Sequence, residues 1–210
     1  MKNNLFIVSK YGYKYIAYAL FIAVIFEILD LEFFALLSFL LALFFVYSFR
    51  NPERGIAFLD DKAVVSPVDG VVKAIDEIED EQYAYRVLVE SNYLHVGVLR
   101  VPLNGHLESI KVLRGARTSK KSKLFYDLNE SAELVFKDTY NNKVKVVHRL
   151  KQSFAPITIE VSKNEPLYKG SRYGYANNTI SEFYLPKNFR FNIKPNSEIQ
   201  ASHSLIGYFS

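Results

Sequence analysis

Two apolar runs at the N-terminus, broken by a short acidic stretch, constrain this chain more than any other feature. No charged residue occurs from Tyr15 to Phe26 or from Phe33 to Phe49, and Glu27, Asp30 and Glu32 stand between the two runs. The pattern predicts two short apolar helices joined by an acidic turn, an N-terminal membrane anchor over residues 1–54. Each run is at or below the roughly 17–25 residues that cross a bilayer, so a thin, mismatched or re-entrant hairpin is among the forms it can take. Lys2, Lys10 and Lys14 precede the first run while Arg50 and Arg54 follow the second. By the positive-inside tendency both ends then face the cytoplasm, with the anchor in the cell (inner) membrane. No small-residue cleavage site precedes the second run, which argues against a removable signal peptide. The alternative is a helical pair buried in a soluble protein. Aromatic crowding at Phe33-Phe34, Phe39 and Phe44-Phe45 weighs against it.

The length of 210 residues leaves room for the anchor plus one globular domain, residues 55–210. Cysteine is absent, so disulfides, zinc-thiolate sites, iron–sulfur clusters and thiol nucleophiles are excluded, and covalent chemistry must use oxygen or nitrogen. No metal is expected. The formal charge of +4 is mild and the cations alternate with acids over most of the chain. That balance suits an anionic membrane surface and not a nucleic-acid partner, which calls for a concentrated basic face.

After Arg54 the sequence reads as short β-branched and aromatic runs: Ala63–Val65, Val71–Ile75, Arg86–Val89, His95–Val101, Leu107–Leu113, Ala132–Phe136, Lys143–Val147, Ile157–Val161 and Glu182–Leu185. Turn signals at Pro67-Val68-Asp69-Gly70, Asn104-Gly105, Asn141-Asn142 and Pro195-Asn196 divide them. The expected fold is mainly β (α+β), a compact sandwich or barrel-sandwich domain preceded by the helical hairpin.

The stretch Phe49-Arg50-Asn51-Pro52-Glu53-Arg54, followed by Val64-Val65-Ser66-Pro67-Val68-Asp69-Gly70, resembles the short bacterial form of the phosphatidylserine decarboxylase proenzymes. In that family a hydrophobic anchor runs into Arg-x-Pro-x-Arg and then a Ser-Pro-x-Asp-Gly turn. The resemblance extends to Lys163–Gly174 and to Ile180–Pro186, the stretches that frame the family's self-cleavage site. It implies conversion of phosphatidylserine to phosphatidylethanolamine and carbon dioxide. Implied partners are the phospholipid membrane and phosphatidylserine, with a further copy of the chain or another lipid-synthesis enzyme beside them.

In the family a Gly-Ser pair is cut. The serine hydroxyl attacks the preceding carbonyl, the amide becomes an ester, and β-elimination leaves an N-terminal pyruvoyl group that forms a Schiff base with the substrate amine and accepts electrons from the breaking carbon–carboxylate bond. Counting back from Tyr184-Leu185-Pro186 sets Asn178-Thr179 on that pair, with one residue deleted upstream. Thr179 would then yield a 2-oxobutanoyl group, one methyl larger than pyruvoyl. Asn178 in place of Gly restricts the backbone, although Asn tolerates left-handed geometry better than most residues. Read without the family, Asn177-Asn178 is an ordinary turn and Thr179 opens a strand.

Asp69 matches the aspartate that in the family orients a histidine for self-cleavage; taken alone, its turn is simply a good β-turn. Asn92–Pro102 resembles the family's Asp-x-His-x-x-Arg-x-Pro region. Aligned on Arg100-Val101-Pro102, Gly97 falls at the histidine position, and a two-residue shift along an alternating strand would keep His95 on the same face as the base. His106 is the fallback, while His148 and His203 have no motif context. Finally, Arg114–Lys123 gathers five cations in ten residues. The Asn129-Glu130 that follows resembles a family stretch near the substrate, which marks Lys120, Lys121 and Lys123 as headgroup-binding residues; the default for such a run is a solvated loop. The rival to an enzyme is a non-catalytic relative that binds phospholipid or a partner enzyme.

Overall fold

The computed structural model describes residues 7–56, 58 and 60–210. Lys2, part of the orientation argument, lies outside them. The chain forms two compact units that part between Glu53 and Arg54.

In the first unit, α1 (Tyr13–Ile28) and α2 (Glu32–Ser48) form the expected hairpin. Its turn is a helix stop built on Asp30, which adopts the left-handed φ of 54°. The Leu31 amide donates to Phe26 O at 2.9 Å and the Asp30 amide to Glu27 O at 3.1 Å, satisfying the last carbonyls of α1. Small residues make the close approach: Ala19 on α1 and Ala35, Ser38 and Ala42 on α2 are buried. At the open end the chain before α1 runs alongside the chain leaving α2, with Ser9 N donating to Phe49 O at 2.8 Å. Gly12 is required there, because a Cβ would come within 2.5 Å of Phe49. Most of the large apolar side chains point outward, Phe33 being 72% exposed and Phe21 64%, while Phe45 is buried.

The expectation of a transmembrane pair is not met. The helices hold 16 and 17 residues, and among the described residues no helix is long and apolar enough to cross a membrane. At about 1.5 Å per residue they reach roughly 24–26 Å, short of a hydrocarbon core of about 30 Å. The acidic turn and the Gly12 crossing cut both runs short.

The second unit is mainly β. In chain order its elements are β1 (Ala63–Val65), β2 (Gly70–Glu77), β3 (Tyr85–Glu90), β4 (Val98–Arg100), β5 (Gly105–Leu113), the single turn α3 (Phe125–Leu128), β6 (Ser131–Lys137), β7 (Lys143–Leu150), β8 (Thr158–Ile159), β9 (Pro166–Leu167), β10 (Arg172–Tyr175), β11 (Thr179–Leu185), β12 (Phe189–Phe191), β13 (Glu198–Ile199) and β14 (Leu205–Phe209). Eight strands form one antiparallel sheet in the order β13-β2-β3-β11-β7-β6-β5-β9, and two three-stranded sheets, β1-β14-β12 and β4-β10-β8, complete the domain. All three sheets contribute to one core, including Val87, Val146 and Phe183 from the large sheet, Leu99 and Tyr173 from the second, and Ile206 and Phe209 from the third. Alternation along the strands aims these residues to one side. The predicted turns at Asn141 and Asn196 both adopt left-handed φ, 68° and 66°.

One strand expectation needs correction. Of His95–Val101 only Val98–Arg100 pairs as a strand, and residues 92–97 form a turn and bend in which Asn92 Oδ1 accepts from the Leu94 amide at 2.9 Å. His95 therefore lies on no strand, and alternation does not set the direction of its side chain.

Candidate functional site

Asn178 and Thr179 sit where β11 begins, at the centre of the large sheet between β3 and β7. Asn178 takes φ 56°, a conformation that favours Gly and, after it, Asn. Its amide donates to Asn177 Oδ1 at 2.8 Å, and its own Nδ2 donates to Gln152 O at 2.6 Å. The Asn178 carbonyl accepts the Lys151 amide at 2.9 Å, and the Thr179 carbonyl accepts the Ser91 amide at 2.9 Å. The peptide between them is thus held at its carbonyl, and the next peptide is held at the Thr179 carbonyl. Thr179 is 1% exposed.

On the inner face of the sheet, register sets Ser181 opposite His148. A buried polar chain results. Thr179 Oγ1 lies 3.3 Å from Ser181 Oγ, which lies 2.8 Å from His148 Nδ1, and His148 Nε2 lies 2.6 Å from the hydroxyl of Tyr173. Tyr173 belongs to β10 in the facing sheet, so the chain crosses the core. His148, Ser181 and Tyr173 are all 0% exposed. Burial pushes the His148 ring down to about 3 and raises the Tyr173 phenol well above its usual range, so both are neutral at physiological pH. Sequence reading gave His148 no role. The available signal was its place in the inward series Val144, Val146, His148, Leu150, where an imidazole replaces an aliphatic side chain.

Asp69 is buried and accepts both terminal nitrogens of Arg54, with Arg54 Nη2 to Oδ2 at 2.7 Å. The two framing motifs of the sequence therefore meet in one ion pair. The Ala201 amide donates to Asp69 Oδ1 at 2.8 Å and the Val96 amide to Oδ2 at 3.4 Å. Asp69 thus holds the loop that carries His95 through its backbone. A second link runs toward the β11 start, where Ser91 donates its hydroxyl to the Asp69 carbonyl. His95 is half-buried, and its Nδ1 accepts the Asn92 amide at 3.0 Å. Gly97 lies under the buried ring of Tyr175, where a Cβ would meet ring atoms at 2.8 Å.

The basic loop is largely committed to the fold. Arg114 and Arg117 both pair with the buried Glu130, and Arg117 also donates to the carbonyls of Ser153 and Phe154 at 3.1 and 3.0 Å. Lys120 is bound at 2.8 Å by both carboxylate oxygens of Glu90, which takes Lys151 Nζ at the same distance. Burial pushes Glu90 up, but the hydrogen bonds from the two lysines outweigh it and hold the carboxyl at about 2. Of the three lysines expected to bind headgroups, Lys120 is therefore engaged within the domain, while Lys121 and Lys123 are exposed. Tyr93 stacks on Phe154 at 4.7 Å, bringing the turn after Asn92 to the loop after Lys151, beside Asn178. Among the described residues no cluster of His, Asp or Glu is arranged to hold a metal.

The family model described as phosphatidylserine decarboxylase matches residues 41–207. Among curated relatives, the phosphatidylserine decarboxylase proenzyme of Geobacter metallireducens is 28% identical over 99% of both chains. That of Geotalea uraniireducens is 27% identical over 99% of both. That of Carboxydothermus hydrogenoformans is 32% identical over 72% of this chain and 73% of its own.

Proposed function

The chain belongs to the phosphatidylserine decarboxylase family, and from that premise we propose that it is a proenzyme which cuts itself between Asn178 and Thr179 and then decarboxylates phosphatidylserine to phosphatidylethanolamine. The observation that carries this reading is the grip on that one peptide. Asn178 supplies the left-handed backbone, and Lys151 N–H stands 2.9 Å from the oxygen on which charge develops when Thr179 Oγ1 attacks. The residues fit a threonine-derived 2-oxobutanoyl group, since Thr179 Oγ1 is the hydroxyl that such a group requires and already joins a buried hydrogen-bonded chain. Once formed, the group serves as an electron sink for the carbon–carboxylate bond. Asp69 positions the loop from Asn92 to Gly97, and His95 on that loop handles protons during decarboxylation. Purified protein given vesicles containing phosphatidylserine is expected to release carbon dioxide and accumulate phosphatidylethanolamine; unchanged lipid would contradict the reading.

The second reading is a non-catalytic relative that binds phospholipid or a partner enzyme. Gly97 favours it, because the space of the family histidine is filled by Tyr175. On this reading the chain stays whole.

We further infer that the hairpin seats the protein on the inner face of the cell membrane. Its outward Phe and Leu side chains support this, and helices about 4–6 Å short of the hydrocarbon core point to shallow or mismatched insertion. Membrane attachment is expected to survive high salt and alkaline washing and to be lost when residues 1–49 are deleted. Release of the full chain by salt would count against it. Lys121 and Lys123 are the basic-loop residues best placed for anionic headgroups, so replacing both with Ala is expected to weaken vesicle binding at low salt, with the deficit shrinking as salt rises. An unchanged affinity at low salt would return the loop to a solvated role.

A further inference from the structure

We propose that His148, acting through Ser181, draws the proton from Thr179 Oγ1 during self-cleavage and so takes over, from the opposite side of the strand start, the task of the histidine that the family carries where Gly97 stands here. The inference rests on the self-cleavage reading above. Three observations lead to it.

The first is the loss of the usual position. No side chain fits at Gly97, because Tyr175 occupies the space a Cβ would need. His95, two residues earlier, lies outside any strand, and its Nδ1 accepts the Asn92 amide at 3.0 Å.

The second is connectivity. The antiparallel register of β11 on β7 sets Ser181 against His148, and strand alternation turns Thr179 and Ser181 to the same face. The links of 3.3 and 2.8 Å form an unbroken path from the attacking hydroxyl to an imidazole nitrogen. Tyr173 at 2.6 Å from Nε2 fixes the ring from across the core.

The third is the energetic oddity of the arrangement. A fully buried imidazole among Val144, Val146 and Leu150 is costlier than an aliphatic side chain unless both nitrogens are satisfied, and here both are. Departures of this kind from a plain apolar core concentrate at functional sites. Burial keeps the ring neutral, which leaves one nitrogen without a proton to accept from Ser181 Oγ; the same burial disfavours the protonated ring, so it holds the proton only until the carbon–nitrogen bond opens.

The step balances without any co-reactant. Thr179 Oγ1 forms a bond to the Asn178 carbonyl carbon as its proton passes to Ser181 Oγ and the Ser181 proton passes to His148 Nδ1. The carbon–nitrogen bond to Thr179 then opens, and the proton returns along the same path to the freed amine. The product is the ester of Asn178 with Thr179 Oγ1, and the ring is restored. Ser181 touches the reacting oxygen; His148 is a positioning residue that works through it.

The test follows the rate at which the full-length protein, in phospholipid vesicles, yields the fragment of residues 179–210, with the melting temperature recorded for each variant. His148→Gln keeps hydrogen-bonding atoms but takes up no proton, and is expected to remain folded while cutting roughly a hundredfold more slowly. Ser181→Ala is expected to cut as slowly, and Ser181→Thr to recover most of the rate by restoring the hydroxyl on a residue that strands accept. A purely structural role would change melting and leave this hydroxyl-dependent recovery absent. Wild-type rates in folded His148→Gln or Ser181→Ala would overturn the inference alone. A wild-type chain that never cuts would overturn the self-cleavage reading and this inference with it.

Discussion

Thr179→Ala is expected to leave the chain as one uncut polypeptide with no decarboxylation of phosphatidylserine. The loss should be complete, because the only atom in position to attack the Asn178 carbonyl within its own residue is Thr179 Oγ1, and with no cysteine in the chain no thiol can substitute. The fold should survive. Thr179 contributes one hydroxyl to the buried chain, and the peptide carbonyls on either side keep their partners, the amides of Lys151 and Ser91. Thr179→Ser combined with Asn178→Gly is expected to cut faster than the natural chain, since Gly takes the φ of 56° at no steric cost and serine attacks without the extra methyl. Intact-mass measurement checks both. Thr179→Ala protein that still yields the 179–210 fragment would remove Thr179 from the chemistry.

The second large effect is expected at Asp69, as a loss of stability. Asp69→Ala leaves the Arg54 guanidinium without its carboxylate and withdraws the acceptor from the Ala201 and Val96 amides. The side chains of Arg54 and Asp69 are only 14% and 7% exposed, so water can replace little of what is lost. Breaking one side of such a pair costs about 3–5 kcal/mol, which for a domain of this size lowers the melting temperature by on the order of 10 °C. The double variant Arg54→Ala/Asp69→Ala should be less unstable than the sum of the single variants, because no charge is then stranded. Self-cleavage should slow as well, since Asp69 anchors the loop to Gly97 and, through Ser91, the start of β11. Thermal unfolding of the three variants measures the coupling; additive single effects would show that the pair contributes nothing beyond its separate parts.

What could be read from the sequence was local. Charge-free runs and their acidic break fixed the hairpin and its approximate helix lengths, while Asn141 and Asn196 marked turns because few other residues accept left-handed φ. The Ser-Pro-x-Asp-Gly turn marked Asp69, yet its partner Arg54 was legible only as a motif neighbour. Short strands with weak patterns escaped: β10 carries a glycine at its centre, and β14 is built on Leu205–Phe209, where Gly207 interrupts the apolar series. His148 escaped for a different reason. Its inward position follows from alternation along β7, but its importance comes from Ser181, thirty-three residues away, and that contact exists only once β11 has paired in this register. The basic loop shows the same limit. Five cations close in sequence read as one patch, whereas Glu130 and Glu90, distant in sequence, claim three of them.

The claim on which the rest depends is that the Asn178–Thr179 peptide is self-cleaved, and the intact mass of the natural chain, purified from membranes under non-reducing and denaturing conditions alike, tests it most directly. The expected result is two species, residues 1–178 and a blocked fragment of residues 179–210 lighter by one ammonia than simple hydrolysis would leave, as a terminal 2-oxobutanoyl group requires. A single species at the mass of the whole 24.2 kDa chain, from protein that is folded and membrane-bound, would contradict it.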